Sequence, residues 1–160
     1  MEKLISNLEL SVQNLNTYNI FIKVQQDLFM YPYVELLNLC EEYILKNNIE
    51  AKRIENNDNF YEKFYLYENK NFSLILIKWN KDCSTKIHDH PDKGCILRVL
   101  CGELIEESYT PKLNKVSSVS LKLDKVGYKA GSRVLHKIIA EEESVSLHVY
   151  IPGFYTPNYY

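Results

Sequence analysis

Residues His88–Tyr109 read HDHPDKGCILRVLCGELIEESY, and this stretch decides how the rest of the chain is interpreted. It holds two of the four histidines, two of the four cysteines and two of the five glycines of the protein. Successive side chains of an extended strand point to opposite faces, so we expect His88 and His90 on one face and Asp89 on the other. Two imidazoles side by side are half of a metal site, although so short a pair also arises by chance in surface turns.

The spacing of the residues that follow this pair is more specific than the pair itself. Four residues separate His90 from Cys95, six separate Cys95 from Gly102, and four separate Gly131 from His136. This arrangement resembles the two-part motif of the cupin superfamily, in which three histidines bind a metal inside a small β-barrel. An acidic residue usually stands where this chain has Cys95, and its replacement by cysteine is a mark of the cysteine dioxygenase family.

The resemblance to that family covers about Tyr61 to Phe154. Residues 146–150 read SLHVY and resemble the family's Ser-x-His-x-Tyr segment, and all four histidines fall inside the matched segments. The resemblance implies a mainly β protein, a cupin-type jelly-roll β-barrel with an N-terminal helical segment. We expect a single cupin domain over residues 1–160, with helices in 1–52 packed on a barrel formed by 60–154.

The resemblance also implies a chemistry. It identifies His88, His90 and His136 as ligands of Fe(II), and the protein as a thiol dioxygenase that oxidises L-cysteine with O₂ to cysteine sulfinic acid in cysteine metabolism. The residue types alone leave the metal open, because three neutral imidazoles suit zinc hydrolysis as well as iron oxygen chemistry. Three histidines add no negative charge to a metal. A substrate thiolate would supply it, which predicts that the metal becomes reactive toward O₂ only once the thiol is bound.

Two further residues take their expected roles from the family. There, the cysteine that matches Cys95 is joined by a thioether bond to the tyrosine that matches Tyr150, which would hold the phenol beside the metal. We expect His148 to orient Tyr150 through a chain with Ser146, because such outer partners keep groups near a metal in place. The alternatives are an inert buried thiol at Cys95 and ordinary packing residues at the other two positions.

The substrate carboxylate needs a cation, and here the chain departs from the family. The family uses arginine in a Tyr-x-Arg segment, whereas the best match in this chain is Tyr61-Glu62-Lys63. Arginine grips a carboxylate through two parallel hydrogen bonds, but lysine offers only a point charge. From the match to that segment we still expect Tyr61 and Lys63 to bind substrate. Arg133 is a second candidate cation near the mouth of the site. An exposed strand lysine is the alternative for Lys63.

Composition excludes several classes of partner. The formal net charge of −2 over 160 residues favours no nucleic acid or anionic membrane. No apolar run approaches the roughly 20 residues needed to cross a bilayer, and the first residues lack the layout of a secretion signal. We expect a cytoplasmic monomer whose partners are a small thiol and O₂. The cysteines form no CxxC pair, which argues against a zinc ribbon.

Hydrophobic periodicity predicts where the elements lie. Apolar residues recur at helical spacing in three runs before residue 52, the third beginning at Pro32. A turn is expected at 56–59, and β-rich segments follow it. The predicted strands are 60–67, 72–79, 96–100, 103–109, 116–126, 136–139 and 144–151. We expect the last two to form a hairpin around the acidic residues 141–143, residues 127–131 to form a turn, and the aromatic tail 153–160 to pack against the protein.

Three readings of function remain open on this basis. The first is the L-cysteine dioxygenase, and the second keeps the reaction but changes the thiol, for example to 3-mercaptopropionate, because of the weaker carboxylate clamp at Lys63. The third is a non-catalytic metal-binding cupin, which would need neither Cys95, Tyr150 nor His148. A three-histidine zinc enzyme is a further rival that metal analysis would reveal.

Overall fold

The N-terminal third of the protein is helical. The computed structural model describes residues 1–14, 17–56 and 58–160. Its helices are α1 (Glu2–Asn14), α2 (Thr17–Phe29) and α3 (Tyr33–Lys46), and α3 begins directly after Pro32 as predicted. The expected helical residues 15 and 16, and Asn57 of the predicted turn, lie outside the described residues. Within the described chain, no helix is both long enough and apolar enough to span a membrane.

The rest of the described chain is β. The strands are β1 (Lys52–Asn56), β2 (Asn59–Glu68), β3 (Ser73–Trp79), β4 (Gly94–Cys101), β5 (Leu104–Tyr109), β6 (Lys115–Leu121), β7 (Val126–Lys129), β8 (Leu135–Ala140) and β9 (Ser144–Ile151). They form a six-stranded sheet in the order β1-β2-β3-β9-β4-β7 and a three-stranded sheet in the order β6-β5-β8. The mainly β jelly-roll with an N-terminal helical segment is confirmed, although the described strands form two facing sheets rather than one closed barrel.

Both faces of the large sheet are buried, and this separates two cores. Leu74 and Leu76 of β3 pack toward the helices, whereas Ile75 and Ile77 point toward the three-stranded sheet. Because side chains alternate along a strand, a strand covered on both faces reads as a continuous apolar run. The same alternation in β9 puts residues 147, 149 and 151 against the helices and leaves residues 146, 148 and 150 facing the interior between the sheets.

Three local expectations were wrong. The β region begins at Lys52, inside the span expected to be helical, because β1 pairs along the edge strand β2. The predicted strand 116–126 ends at Leu121, and the expected turn 127–131 instead contains most of β7, which pairs with β4. The segments β8 and β9 form no hairpin: β8 pairs with β5 and β9 lies between β3 and β4, so the acidic turn connects the two sheets.

Candidate metal centre and active-site cavity

Three histidine rings converge between the two sheets. His88 and His90 lie on the extended segment before β4, and His136 lies in β8. A β-bridge joins the backbones of His88 and His136 through hydrogen bonds of 2.9 and 3.1 Å. The ring centroids are 4.2 to 5.3 Å apart, and one ligand nitrogen from each ring lies within 4.8 Å of the others. The fold thus brings together the three histidines that the sequence singled out.

Hydrogen bonds orient two of these rings. Nδ1 of His88 lies 2.8 Å from the backbone oxygen of Lys86, and Nδ1 of His136 lies 2.8 Å from a carboxylate oxygen of Glu106. Since an acceptor faces each Nδ1, the proton of the neutral ring lies there and Nε2 keeps its lone pair. The two Nε2 atoms are only 3.0 Å apart, so their lone pairs repel one another unless a cation lies between them.

The third ring supports the same conclusion. Both ring nitrogens of His90 are buried and have no hydrogen-bond partner in the part of the chain that the structure describes. A buried polar atom without a partner is costly, so it needs a role that explains it. A divalent transition metal fits this donor set, because it binds neutral imidazole nitrogens and three protein ligands leave further coordination positions open.

Burial keeps these imidazoles neutral. It lowers the pKa of His88 to about 4, and burial together with the neighbouring His136 lowers the pKa of His90 to about 2. The pKa of His136 is also held well below its ordinary value, chiefly by burial. A protonated imidazole cannot bind a metal, so the site is prepared for a metal cation at neutral pH.

A second group of polar side chains lies beside the histidines on the inner face of the large sheet. The indole N–H of Trp79 donates to Oγ of Ser146 at 2.8 Å, and the same oxygen lies 2.8 Å from Nε2 of His148. Nδ1 of His148 is 3.9 Å from Sγ of Cys95, and its ring lies nearly parallel to that of Tyr150, with centroids 6.1 Å apart.

Cys95 and Tyr150 lie side by side on neighbouring strands of the large sheet. Their Cα atoms are register partners between β4 and β9, and their side chains are hydrogen-bonded. Burial raises the pKa of the Cys95 thiol to about 12, and that of the Tyr150 hydroxyl lies well above its ordinary value for the same reason. Both groups are therefore protonated at neutral pH, and they are adjacent as the family's thioether bond requires.

A small cavity opens onto His88 and His136. Its wall includes Tyr61, which stacks on Trp79 with centroids 4.9 Å apart. Lys63 also lines it. Among the described residues, none accepts a hydrogen bond from its side-chain amine or forms an ion pair with it. Burial, and then Lys52 on the neighbouring strand, lower the pKa of Lys63, and an anion beside this amine would raise it again.

Comparison with known proteins identifies the family. A model of the cysteine dioxygenase type I family matches residues 33–160. The chain belongs to the cysteine dioxygenase type I family.

Curated relatives in this family include the type 1 cysteine dioxygenase of Rattus norvegicus, 32% identical over 97 residues that cover 55% of this chain and 48% of that protein. The Bos taurus protein is 33% identical over 97 residues, with the same coverage of 55% and 48%. The chain therefore spans about half the length of the curated relatives it matches.

Solved structures agree on the fold. An RmlC-like cupin from Shewanella frigidimarina superposes with a TM-score of 0.54 at 14% identity, covering 68% of this chain and 87% of that one. A variant of oxalate decarboxylase from Bacillus subtilis gives a TM-score of 0.53 at 14% identity, covering 67% of this chain and 29% of that one. At this identity the likeness shows the cupin fold alone.

One expected substrate residue does not fit the cavity. Arg133 was a candidate cation near the mouth of the site, but it is exposed and does not line the cavity that holds Lys63. The reason is its place in the exposed loop 131–134, which precedes β8.

The sequence reasoning missed one acidic residue of the site, Glu106. Its side chain contacts His136 and also Lys129, whose Nζ lies 3.1 Å from the second carboxylate oxygen. A signal was present, because β5 alternates buried and partly buried residues and Glu106 shares the buried face with Leu104 and Ser108. A charged side chain on the buried face of a strand beside the histidines is a candidate partner of those histidines.

The sequence also did not predict where the aromatic tail, residues 153–160, would pack. As expected, it packs down, but it does so on the metal-binding segment itself. The backbone of Tyr159 forms a bridge with that of His88, and Tyr159 lines the cavity. The carboxylate of Asp89 accepts hydrogen bonds of 2.8 Å from both the backbone N–H and the side-chain amide of Asn158. Tyr155 and Tyr160 donate to the same carboxylate.

Proposed function

We propose that this protein is a non-haem iron thiol dioxygenase that oxidises L-cysteine with O₂ to cysteine sulfinic acid. The observation that carries the proposal is the convergence of three neutral imidazoles beside a cavity lined by Lys63, whose amine has no partner among the described residues. Membership of the cysteine dioxygenase type I family supports the reaction class. In balanced form, one thiol and one O₂ give one sulfinic acid: the S–H hydrogen remains on the product and both oxygen atoms are added to sulfur.

Each group of residues takes a distinct part in this proposal. His88, His90 and His136 would hold Fe(II), which supplies a common binding point for the thiolate and O₂. Lys63 would bind the substrate carboxylate at the other end of the cavity. Tyr61 would form the wall against which the substrate lies, since its ring is fixed by stacking on Trp79. The substrate is thus held at two ends, which brings its sulfur to the metal side.

Tyr150 completes the cavity on the side of β9. We propose that Cys95 and Tyr150 form the family's thioether bond, which joins sulfur to the phenol ring with loss of two hydrogen atoms to an oxidant such as O₂. His148, held by Ser146, would position the phenol. Intact mass measurement decides this point, because a fully active protein with the uncrosslinked mass would retire the bond.

Oxygen consumption tests the reaction directly. Iron-loaded protein given L-cysteine should take up one O₂ per thiol, and mass spectrometry of the product should find two added oxygen atoms. The His136→Ala variant should lose iron binding and turnover, because the two remaining ligands cannot hold the metal in the same way. Normal oxygen uptake by that variant would exclude His136 as a ligand. A protein that holds zinc and gains no thiol-dependent oxygen uptake when it is loaded with iron would exclude the iron enzyme.

A second thiol is favoured by one specific observation. Lysine occupies the position where the family has arginine, so the carboxylate is held by a point charge without bidentate geometry. We therefore place 3-mercaptopropionate, which lacks the amino group, as the alternative substrate. Steady-state kinetics with both thiols separates the two, since a strong preference for 3-mercaptopropionate excludes L-cysteine. A folded, metal-loaded protein that oxidises no small thiol would instead indicate a non-catalytic cupin.

A further inference from the structure

Glu106 connects the metal centre to a surface cation. Its carboxylate lies in β5, is only 6% exposed, and faces the interior between the sheets. One oxygen lies 2.8 Å from Nδ1 of His136 and the other lies 3.1 Å from Nζ of Lys129 in β7. The proposed reaction assigns no part to either residue, yet a buried carboxylate is retained only where its bonds offset the cost of burying its charge.

We infer that Glu106 is a positioning residue for His136, and that Glu106 and Lys129 together set how much negative charge reaches the metal. This inference rests on the proposed three-histidine metal site. Glu106 accepts the Nδ1 proton of His136, which fixes the ring with Nε2 toward the other ligands and makes that nitrogen more electron-rich. Lys129 draws charge from the same carboxylate and so limits the effect.

The arrangement supplies what the ligand set lacks. Three imidazoles bring no negative charge, so a divalent metal among them keeps its full charge until an anionic ligand binds. Glu106 places a carboxylate one hydrogen bond away without occupying a coordination position. The charge is effective at this distance because the site is buried and charges inside a protein are screened less than those at the surface.

Lys129 makes it possible to distinguish an electrostatic role of Glu106 from a role in packing alone. The side chain of Lys129 is 21% exposed, so water reaches part of it and its removal leaves no large buried void. Without Lys129, the whole charge of Glu106 acts on His136. Removing the charge of Glu106 and removing that of Lys129 must therefore shift the midpoint potential of the metal in opposite directions. Loss of packing alone does not predict opposite shifts.

The experiment uses Glu106→Gln, Lys129→Met and, as a control, Glu107→Gln. Glutamine keeps the shape and an acceptor oxygen but removes the charge. Glu107 neighbours Glu106 in β5, but its carboxylate pairs with Lys115 and Lys137 on the other face of the strand. Two quantities are measured for each protein: Fe(II) affinity, by anaerobic competition with a chromogenic chelator, and the Fe(III)/Fe(II) midpoint potential. Thermal unfolding of the metal-free proteins reports any loss of stability separately.

We expect Glu106→Gln to bind Fe(II) roughly 10- to 100-fold more weakly, the range found for partners of metal-bound histidines. Its potential should rise, because less negative charge disfavours Fe(III). Lys129→Met should bind Fe(II) at least as tightly as the wild type and have a lower potential, and Glu107→Gln should match the wild type in both measurements.

Two results would overturn the inference while leaving the proposed function intact. They are a Glu106→Gln protein whose affinity lies within threefold of wild type, and a shift of the potential in the same direction in both variants. Should Glu106→Gln fail to fold, the midpoint potential of Lys129→Met carries the test alone, and a rise or no change in it contradicts the inference. A wild-type protein that binds no iron refutes the proposed function itself, and the inference with it.

Discussion

Lys63 is the residue on which substrate choice depends. Its amine lines the cavity, lacks an acceptor among the described residues, and has a pKa lowered chiefly by burial. A half-buried amine with no acceptor among the described residues carries a desolvation cost that an incoming anion relieves. The same argument explains why a neutral ligand gains nothing from this lysine.

We expect Lys63→Met to lower kcat/KM for L-cysteine by roughly 10- to 100-fold, because a hydrogen bond to a charged group contributes about 1.5–3 kcal/mol. Turnover of 2-mercaptoethanol, which has no carboxylate, should change little. Lys63→Arg should retain or improve the wild-type value for L-cysteine. The control is Lys52→Met, since Lys52 is the register partner on β1 and is exposed. Equal losses for both thiols would show that Lys63 supports the fold and does not bind the carboxylate.

At the scale of elements, the histidine ligands were predictable and their supports were not. The resemblance to the cysteine dioxygenase family, carried by the spacing of these residues, marked His88, His90 and His136, because metal ligation requires particular residue types at particular separations. Glu106 was missed because its role depends on which face of β5 is buried and on the contact with His136 of the neighbouring strand β8. The prediction of a hairpin from β8 and β9 was wrong for a related reason, because the residues of a turn do not determine which sheet each flanking strand joins.

The tail is an element whose packing no periodicity could predict. Residues 155–160 have no regular pattern. Besides the backbone bridge from Tyr159 to His88, they are held by the carboxylate of Asp89, which accepts hydrogen bonds from Tyr155, Asn158 and Tyr160. These bonds keep the pKa of Asp89 below its ordinary value against the opposing effect of burial. Because Asp89 lies between His88 and His90, the tail and the metal-binding segment hold one another in place.

We expect Asp89→Asn to release the tail, because the amide replaces one acceptor oxygen with a donor and removes the charge. Limited digestion with chymotrypsin, followed by mass spectrometry, should show faster cleavage within residues 154–160 than in the wild type. Asp92→Asn is the matched control, since Asp92 is exposed on the same segment. Cleavage of Asp89→Asn at the wild-type rate would show that the tail is held by its other contacts, such as the backbone bond from Tyr160 to Ile87.

At the scale of the whole molecule, all four histidines are buried, and this couples stability to pH. The pKa values of His88, His90, His136 and His148 are all lowered, with burial the largest cause in each case. The unfolded chain takes up protons on these side chains below pH about 6.5, while the folded, metal-free protein does not. The unfolded state then binds more protons, so the free energy of unfolding falls as the pH falls.

Urea denaturation of the metal-free protein at pH 7.5 and 5.5 should show this loss. Each histidine contributes about 1 kcal/mol over that interval, since one pKa unit corresponds to about 1.4 kcal/mol. The four together remove a large part of the roughly 5–15 kcal/mol that stabilises a typical domain. Carboxylates add little, because their ordinary pKa values lie near 4. A His148→Gln variant, which leaves the three ligands in place, should lose about a quarter of the pH dependence. An equal free energy of unfolding at the two pH values would contradict the argument, because it would mean that the folded protein takes up protons on these imidazoles as readily as the unfolded chain.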